Sequence, residues 1–347
     1  MILRTIRHLT RPLHRGMASD FLPYEMFDRE RTERELRSAK TMEGIYHRGQ
    51  DKAWDGNAIL AELLEKHGGV TLAPEKVEPL RRLFAVIFWG ELAAWKVSSE
   101  LALELEPLEA KMAASSQAHD EARHFYVMHD YLKELDYSPQ DLPPAAHRIL
   151  VEILKADSLA KKLVGMQLMV EPIALTLFQI VRENRVEPVL ADLLPYYERD
   201  EARHIALGVN YLPTLIDQMN YRQLADFYTW QVRMFLLQLD AVEEMEADFS
   251  ALNFSIRDVV RLGMTKQLHA GRLTAQKTGN RIPAEELFTR AIEIKLALQF
   301  GPPEHTRRQR WQEALNIVLH NSEHARDVQA VLDRIRPGEM FGPSAAA

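Results

Sequence analysis

The sequence predicts an all-α protein, and three observations carry that expectation. Apolar residues recur at helical spacing from about residue 28 onward. No convincing run of alternating apolar and polar residues, closed by a hairpin turn, suggests a half-buried strand. The string Asp-Glu-Ala-Arg-His occurs twice, at Asp120–His124 and Asp200–His204, each time inside a long helical pattern.

Taken in order, a short amphipathic helix is expected near 28–47 and another near 57–67, ending at Gly68-Gly69. Pro74 opens a long helix to about Leu105, because a proline's missing N–H costs nothing in a first turn. Pro107 starts the next, to about Asp136, and the proline-rich stretch Tyr137–Pro144 reads as a connection. A shorter helix fills about 145–156. Two long ones follow, near 158–182 and 187–217, separated by Glu183–Val186. Beyond Met219 the pattern stays helical, with breaks at Asn253, Gly279-Asn280 and Gly301-Pro302-Pro303. The expected organisation is a basic, poorly ordered N-terminus over 1–27, one helical domain over 28–336, and a flexible tail over 337–347. Within that domain the central helices occupy about 74–217 and the additional C-terminal helices about 221–336.

Composition narrows the function. A chain of 347 residues, 46% hydrophobic and 27% charged, can bury a substantial core. Its net charge of -7 weighs against non-specific nucleic-acid binding, which needs cations to neutralise phosphates. With a cysteine count of 0, any metal must be held by nitrogen and oxygen. Glu91 and Glu171 interrupt the two most apolar stretches, so no membrane span is expected. Residues 1–16 carry Arg4, Arg7, Arg11 and Arg15 and no acid. That composition fits an organelle presequence or simply a basic N-terminus; the expected location is otherwise cytoplasmic.

Residues three apart on a helix share a face, so Glu121 with His124, and Glu201 with His204, each present a carboxylate and an imidazole together. Two lone acids, Glu91 and Glu171, sit in apolar stretches, each 30 residues before the glutamate of a pair. At about 1.5 Å per residue, going out along one helix and back along the next sets the lone acid level with its partner. The interval between Glu121 and Glu171 is 50 residues and holds the proline-rich connection, as a crossover between two helix pairs would require. Four carboxylates crowded among apolar side chains repel one another unless protons or cations neutralise them. Two divalent metals would do so, with Glu91, Glu121, His124, Glu171, Glu201 and His204 as ligands. Asp120, Arg123, Asp200 and Arg203 complete the repeat, and a crosswise arrangement is expected in which Asp200 supports His124 and Asp120 supports His204.

Over about residues 74–217 the chain resembles the ferritin-like di-iron carboxylate superfamily, in which Asp-Glu-x-Arg-His appears in both halves. Its oxygen-activating members include bacterial monooxygenase hydroxylases, acyl-carrier-protein desaturases, the ribonucleotide reductase small subunit and ligand-binding oxidases. The resemblance implies a ferritin-like four-helix bundle with additional N- and C-terminal helices, holding two iron ions, with manganese or a mixed manganese–iron pair as alternatives. Departures limit the reaction. The reductase's radical tyrosine is replaced by Met128, and the cross-linking tyrosine and valine of the ligand-binding oxidases by Met166 and Ala93. The hydroxylase and desaturase threonine position holds Ala174 or Leu175, leaving Thr176 one step further on. The third histidine of the arylamine N-oxygenases is Tyr197.

The expected function is that of an O2-dependent di-iron oxidoreductase that hydroxylates, N-oxidises or desaturates a small organic substrate. Electrons would come from an external ferredoxin or reductase, and a homodimer is compatible with the chain. A ferroxidase or iron-binding role, or a ligand-binding-oxidase-like one, is the alternative. Thr176 is a candidate for proton delivery, and Glu198 for a seventh ligand or proton relay. Pro172, after Glu171, should open its helix beside the metal. Phe88, Trp95, Gln167, Met169 and Phe178 are expected to wall a pocket.

Overall fold

A computed structural model describes residues 33–139, 141–278, 284–301 and 304–319. The residues assigned to a presequence, the breaks at Gly279-Asn280 and Pro302-Pro303, and the tail from 337 lie outside them. Every regular element among the described residues is helical. They are α1 (Glu33–Asp51), α2 (Gly56–His67), α3 (Pro74–Glu104), α4 (Leu108–Glu134), α5 (Pro144–Leu154) and α6 (Leu159–Glu183). Then follow α7 (Pro188–Ile216), α8 (Tyr221–Glu244), α9 (Glu246–Ala251), α10 (Ile256–Ala275), α11 (Ala284–Gln299) and α12 (Arg307–Leu319).

Local chemistry sets the boundaries. Gly68 and Gly69, with φ of 70° and 94°, adopt the left-handed conformation that closes α2, and the Gly69 N–H returns to the Leu64 carbonyl. Pro74 and Pro188 occupy the first turns of α3 and α7. Glu187 caps α7 by accepting from Leu190 N at 2.8 Å, and its fully buried carboxylate also accepts from Thr71 N and Tyr131 Oη. Asn220 and Gln223 form a reciprocal capping box on α8. Asn253, at φ 65°, turns the chain between α9 and α10.

The buried apolar residues form two clusters, and each long helix passes from one to the other. On α3 the change falls between Phe88 and Ala93, on α4 between Ala114 and Val127, and on α7 between Tyr197 and Ala202. Along α6 it falls between Leu175 and Leu177. The order of the clusters fixes the directions: α3 and α7 run one way, α4 and α6 the other. Since α4 and α6 are parallel, the chain must travel back the length of the molecule between them, and α5 with its proline-rich approach occupies that return. Helix α3 packs along α4 and α6 along α7; α8 covers α5, and α10 covers α6 and α7.

Helix α6 is not uniformly α-helical. Val164–Val170 is a π-helix, with the Glu171 N–H reaching back five residues to the Met166 carbonyl. Pro172, lacking an N–H, follows directly, so the widened turn lies just ahead of the lone acid. By length and apolarity alone Leu159–Glu183 could cross a membrane, but 72% of its most apolar window is buried inside the protein.

Candidate metal centre

The six residues singled out by spacing converge at the divide between the two apolar clusters. Glu91 comes from α3, Glu121 and His124 from α4, Glu171 from α6, and Glu201 and His204 from α7. They form two overlapping sets of four: Glu91, Glu121, His124 and Glu201; and Glu121, Glu171, Glu201 and His204. Within each set the ligand atoms all lie within 4.8 Å of one another. Glu121 and Glu201 belong to both, so each set pairs one histidine and one lone acid with the same two carboxylates. None of the six is more than 5% exposed.

Charge makes such a cluster untenable without a neutralising partner. Burial pushes Glu91 well above the usual carboxylate range against the pull of His124, and burial with repulsion from Glu201 does the same to Glu171. Glu121 is held below its usual range: burial opposes this, but His204 and His124 outweigh it. Burial also opposes a charge on either histidine, yet Glu91 and Asp200 raise His124, and Glu121 and Glu201 raise His204.

The atoms facing inward suit a cation. His124 Nδ1 lies 3.2 Å from Glu201 Oε1 and 3.3 Å from Glu91 Oε2, but is not aligned to hydrogen-bond either. Glu121 Oε2 and Glu171 Oε2 are likewise buried with no hydrogen-bond partner among the described residues. Buried lone pairs left unpaired and converging on one space are costly, and a bound metal is what such an oxygen and nitrogen set accommodates.

The opposite edges of both rings are held crosswise. Asp200 Oδ2 lies 3.2 Å from His124 Nε2, and Asp120 Oδ2 lies 3.3 Å from His204 Nε2. Arg123 donates to both aspartates at 2.5 and 2.8 Å, and Arg203 to both at 2.7 Å. This closed quartet of two acids and two guanidinium groups fixes the imidazoles so that each Nδ1 faces the carboxylates.

Three further groups escaped sequence reasoning. Trp54, from the segment between α1 and α2, donates Nε1–H to Asp200 Oδ2 at 2.7 Å, and the Arg123 guanidinium lies over its ring. Tyr197 stacks on His124 at 4.3 Å between centroids and donates its hydroxyl to the His124 carbonyl at 2.8 Å. Gln117, one turn before Glu121, donates to Glu121 Oε1 at 3.0 Å and Glu171 Oε1 at 2.8 Å. The Trp-Asp and Gln117 contacts have no sequence signature, because each joins an ordinary residue to one far away in the chain or one turn away on a helix.

A cavity of about 900 Å3, counting the space at its open mouth, adjoins the cluster. Glu91, Glu121, Glu171 and Glu201 lie in its lining, and among the described residues Gln238 is the only other polar side chain there. The remainder is apolar, contributed by Ile87, Ala94, Ile149, Met166, Val242, Phe249 and others from α3, α5, α6, α8, α9 and α10.

The expected pocket wall needs correcting. None of Phe88, Trp95, Gln167, Met169 and Phe178 lines this cavity. Phe88 and Trp95 turn toward α4, where both meet Phe125. Phe178 packs edge-on to Tyr197, and Gln167 donates to Gln117. On α6, Met166 and Val170, one turn apart, line the cavity, while Met169 packs only in the core. Thr176 does not line it either: its hydroxyl donates to the Pro172 carbonyl, beside a separate smaller cavity. Glu198 accepts from Arg182 at 2.8 Å and belongs to neither ligand set.

No family model, curated protein or solved structure matches this chain.

Proposed function

We propose that the chain is a ferritin-like di-iron carboxylate enzyme that uses O2 and external electrons to oxidise an apolar organic substrate. The observation that carries this reading is the apolar cavity with four candidate ligand carboxylates in its wall. An iron-storing site needs a route for ions, which favours polar walls; a cavity with apolar walls suits a molecule that must be stripped of water before it reacts.

When bound, an iron pair would supply the redox and Lewis-acid chemistry that O2 requires. The protein's own contributions are the rest. Glu91, Glu121, His124 and Glu201 would hold one ion, and Glu121, Glu171, Glu201 and His204 the other. Asp200 and Asp120 hold the imidazole rings in one orientation. The apolar walls exclude water and keep the reacting part of the substrate next to the carboxylates. Hydroxylation, N-oxidation and desaturation all fit this arrangement.

The test is to load the purified protein with Fe(II) without oxygen and mix it rapidly with O2. Stoichiometric O2 uptake with a transient visible absorption, and consumption of an apolar test compound, are the expected results. Uptake that ends in mineralised iron inside a hollow shell would replace this reading with storage, and no uptake by fully loaded protein would remove it.

A further inference from the structure

Among the described residues, Gln238 is the one polar residue in the cavity wall with no place in the metal cluster, and it is 3% exposed. Its two ends differ. Oε1 accepts from Gln267 Nε2 at 3.0 Å, while Nε2 is buried with no partner among the described residues. Gln267 Nε2 also donates to the Met169 carbonyl at 2.7 Å. A backbone carbonyl can only accept, so it fixes which end of the Gln267 amide faces it. The amide hydrogens of Gln267 then face Gln238, which in turn must present its oxygen to Gln267 and leave its N–H2 free. A chain of two amides anchored on the π-helical segment thus fixes an unpaired donor just beneath an apolar wall, which a ligand reaches by displacing the side chains over it.

Position adds to this. Gln238, Ile173, Val242 and Val259 line both the large cavity and the smaller one beside Thr176, so Gln238 stands in the partition between them. An unpaired buried amide is costly and has no packing role that leucine would not fill better. Among the described residues, no lysine, arginine or histidine lines the large cavity to balance an anion.

We infer that Gln238 is a substrate-positioning residue, and that the substrate is an apolar molecule carrying one neutral oxygen acceptor, such as a ketone, aldehyde, ester or amide carbonyl, which accepts from Gln238 Nε2. This rests on the reading of the cavity as the substrate site. Substrates whose polar group is a donor are disfavoured, because Gln238 Oε1 is already taken. In the metal-free protein, free carboxylates are disfavoured, because the wall there offers them four glutamates and, among the described residues, no basic side chain.

The probe is 2-heptanone labelled with carbon-13 at the carbonyl, titrated into the full-length protein, metal-free and zinc-loaded, and followed by NMR beside heptanoate. Saturable ketone binding is expected, with the carbonyl resonance shifted downfield of its position in a hydrocarbon solvent, the signature of a hydrogen bond. Gln238→Leu should abolish that shift and weaken ketone binding about tenfold, the weight of one neutral hydrogen bond. Gln267→Leu, which keeps the donor but frees its orientation, should weaken binding less. If Gln238→Leu does not fold, the carbonyl shift in the unaltered protein decides. A bound ketone with a hydrocarbon-like resonance, unchanged affinity in a folded Gln238→Leu, or heptanoate binding the metal-free protein as tightly as the ketone would overturn the inference. Failure to bind the ketone while zinc loads defeats this inference alone. Failure to bind zinc while the ketone is held defeats the metal reading and leaves the Gln238 contact standing.

Discussion

Asp200 and His124 sit on different helices, 76 residues apart, and meet at 3.2 Å with Asp200 wholly buried. The same Asp200 oxygen accepts from Trp54 and Arg123, so one carboxylate ties the loop before α2, helix α4 and helix α7 to the imidazole. Burial alone would raise Asp200, but His124 and Arg203 hold it well below the usual carboxylate range. Replacing it with alanine leaves Arg123 and Arg203 each with one buried partner fewer. Asp200→Ala should lose about 3–5 kcal/mol of stability in urea denaturation, as expected when one member of a buried ionic group is removed. Co(II) affinity should fall about 10–100-fold, read from the visible spectrum. Trp54→Phe removes one hydrogen bond and should cost only about 1 kcal/mol.

Gln117 touches Glu121 and Glu171, but not Glu91 or His124. It therefore acts on one of the two overlapping sets more than the other. Gln117→Leu should weaken binding of one metal equivalent about tenfold in a calorimetric Zn(II) titration and leave the other near its original value. Equal weakening of both would show that Gln117 supports the cluster as a whole.

Metal loading should release protons. Glu91 and Glu171 are raised above their usual range by burial, and both histidines are raised by the carboxylates around them, so the metal-free cluster holds protons that ligation displaces. Groups with raised values compete harder as pH falls. Zn(II) affinity should thus decline from pH 8 to pH 6, and adding zinc to weakly buffered protein should acidify it, measurable with an indicator dye.

Lys266 gives a second pH dependence, remote from the cluster. Burial lowers its ammonium to about 8, and it donates a hydrogen bond to the Leu175 carbonyl at 3.1 Å. In the unfolded chain the group titrates near about 10.4. Between these values the unfolded state binds more protons, so stability rises with pH from about 8 to about 10.4, and the full cost of burying the charge is felt below 8. Lys266→Met should raise stability at pH 7 by up to about 3 kcal/mol and flatten the rise, followed by denaturation at several pH values.

The convergence of the six residues could be read from the chain because helix geometry converts spacing into place: three residues share a face, and 30 residues go out and back. The additions came from contacts that spacing does not encode. Trp54 precedes the repeat by 66 residues, and Gln238, from α8, follows Glu201 by 37; both reach the site only because their helices or loops fold over it. The cavity wall was misread for a related reason. Phe88 and Trp95 lie on the same helical stripe as Glu91, but a small rotation decides whether that stripe's flank meets α4 or the open space. On α6 the π-helical turn shifts the rotation again, which sequence periodicity of 3.6 cannot register.

The two apolar clusters have a consequence for how the chain lives and dies. The layer between them is crowded with buried acids and histidines, which protons hold together until cations displace them. A cation filling that layer would act as a fastener, and its removal would loosen the protein along a plane already drawn in its core. The chain's lifetime should follow the free metal concentration around it, stability growing with the logarithm of that concentration once the site is saturable. Metal starvation should then lower the amount of the protein itself, which following its level in chelator-treated cells would show.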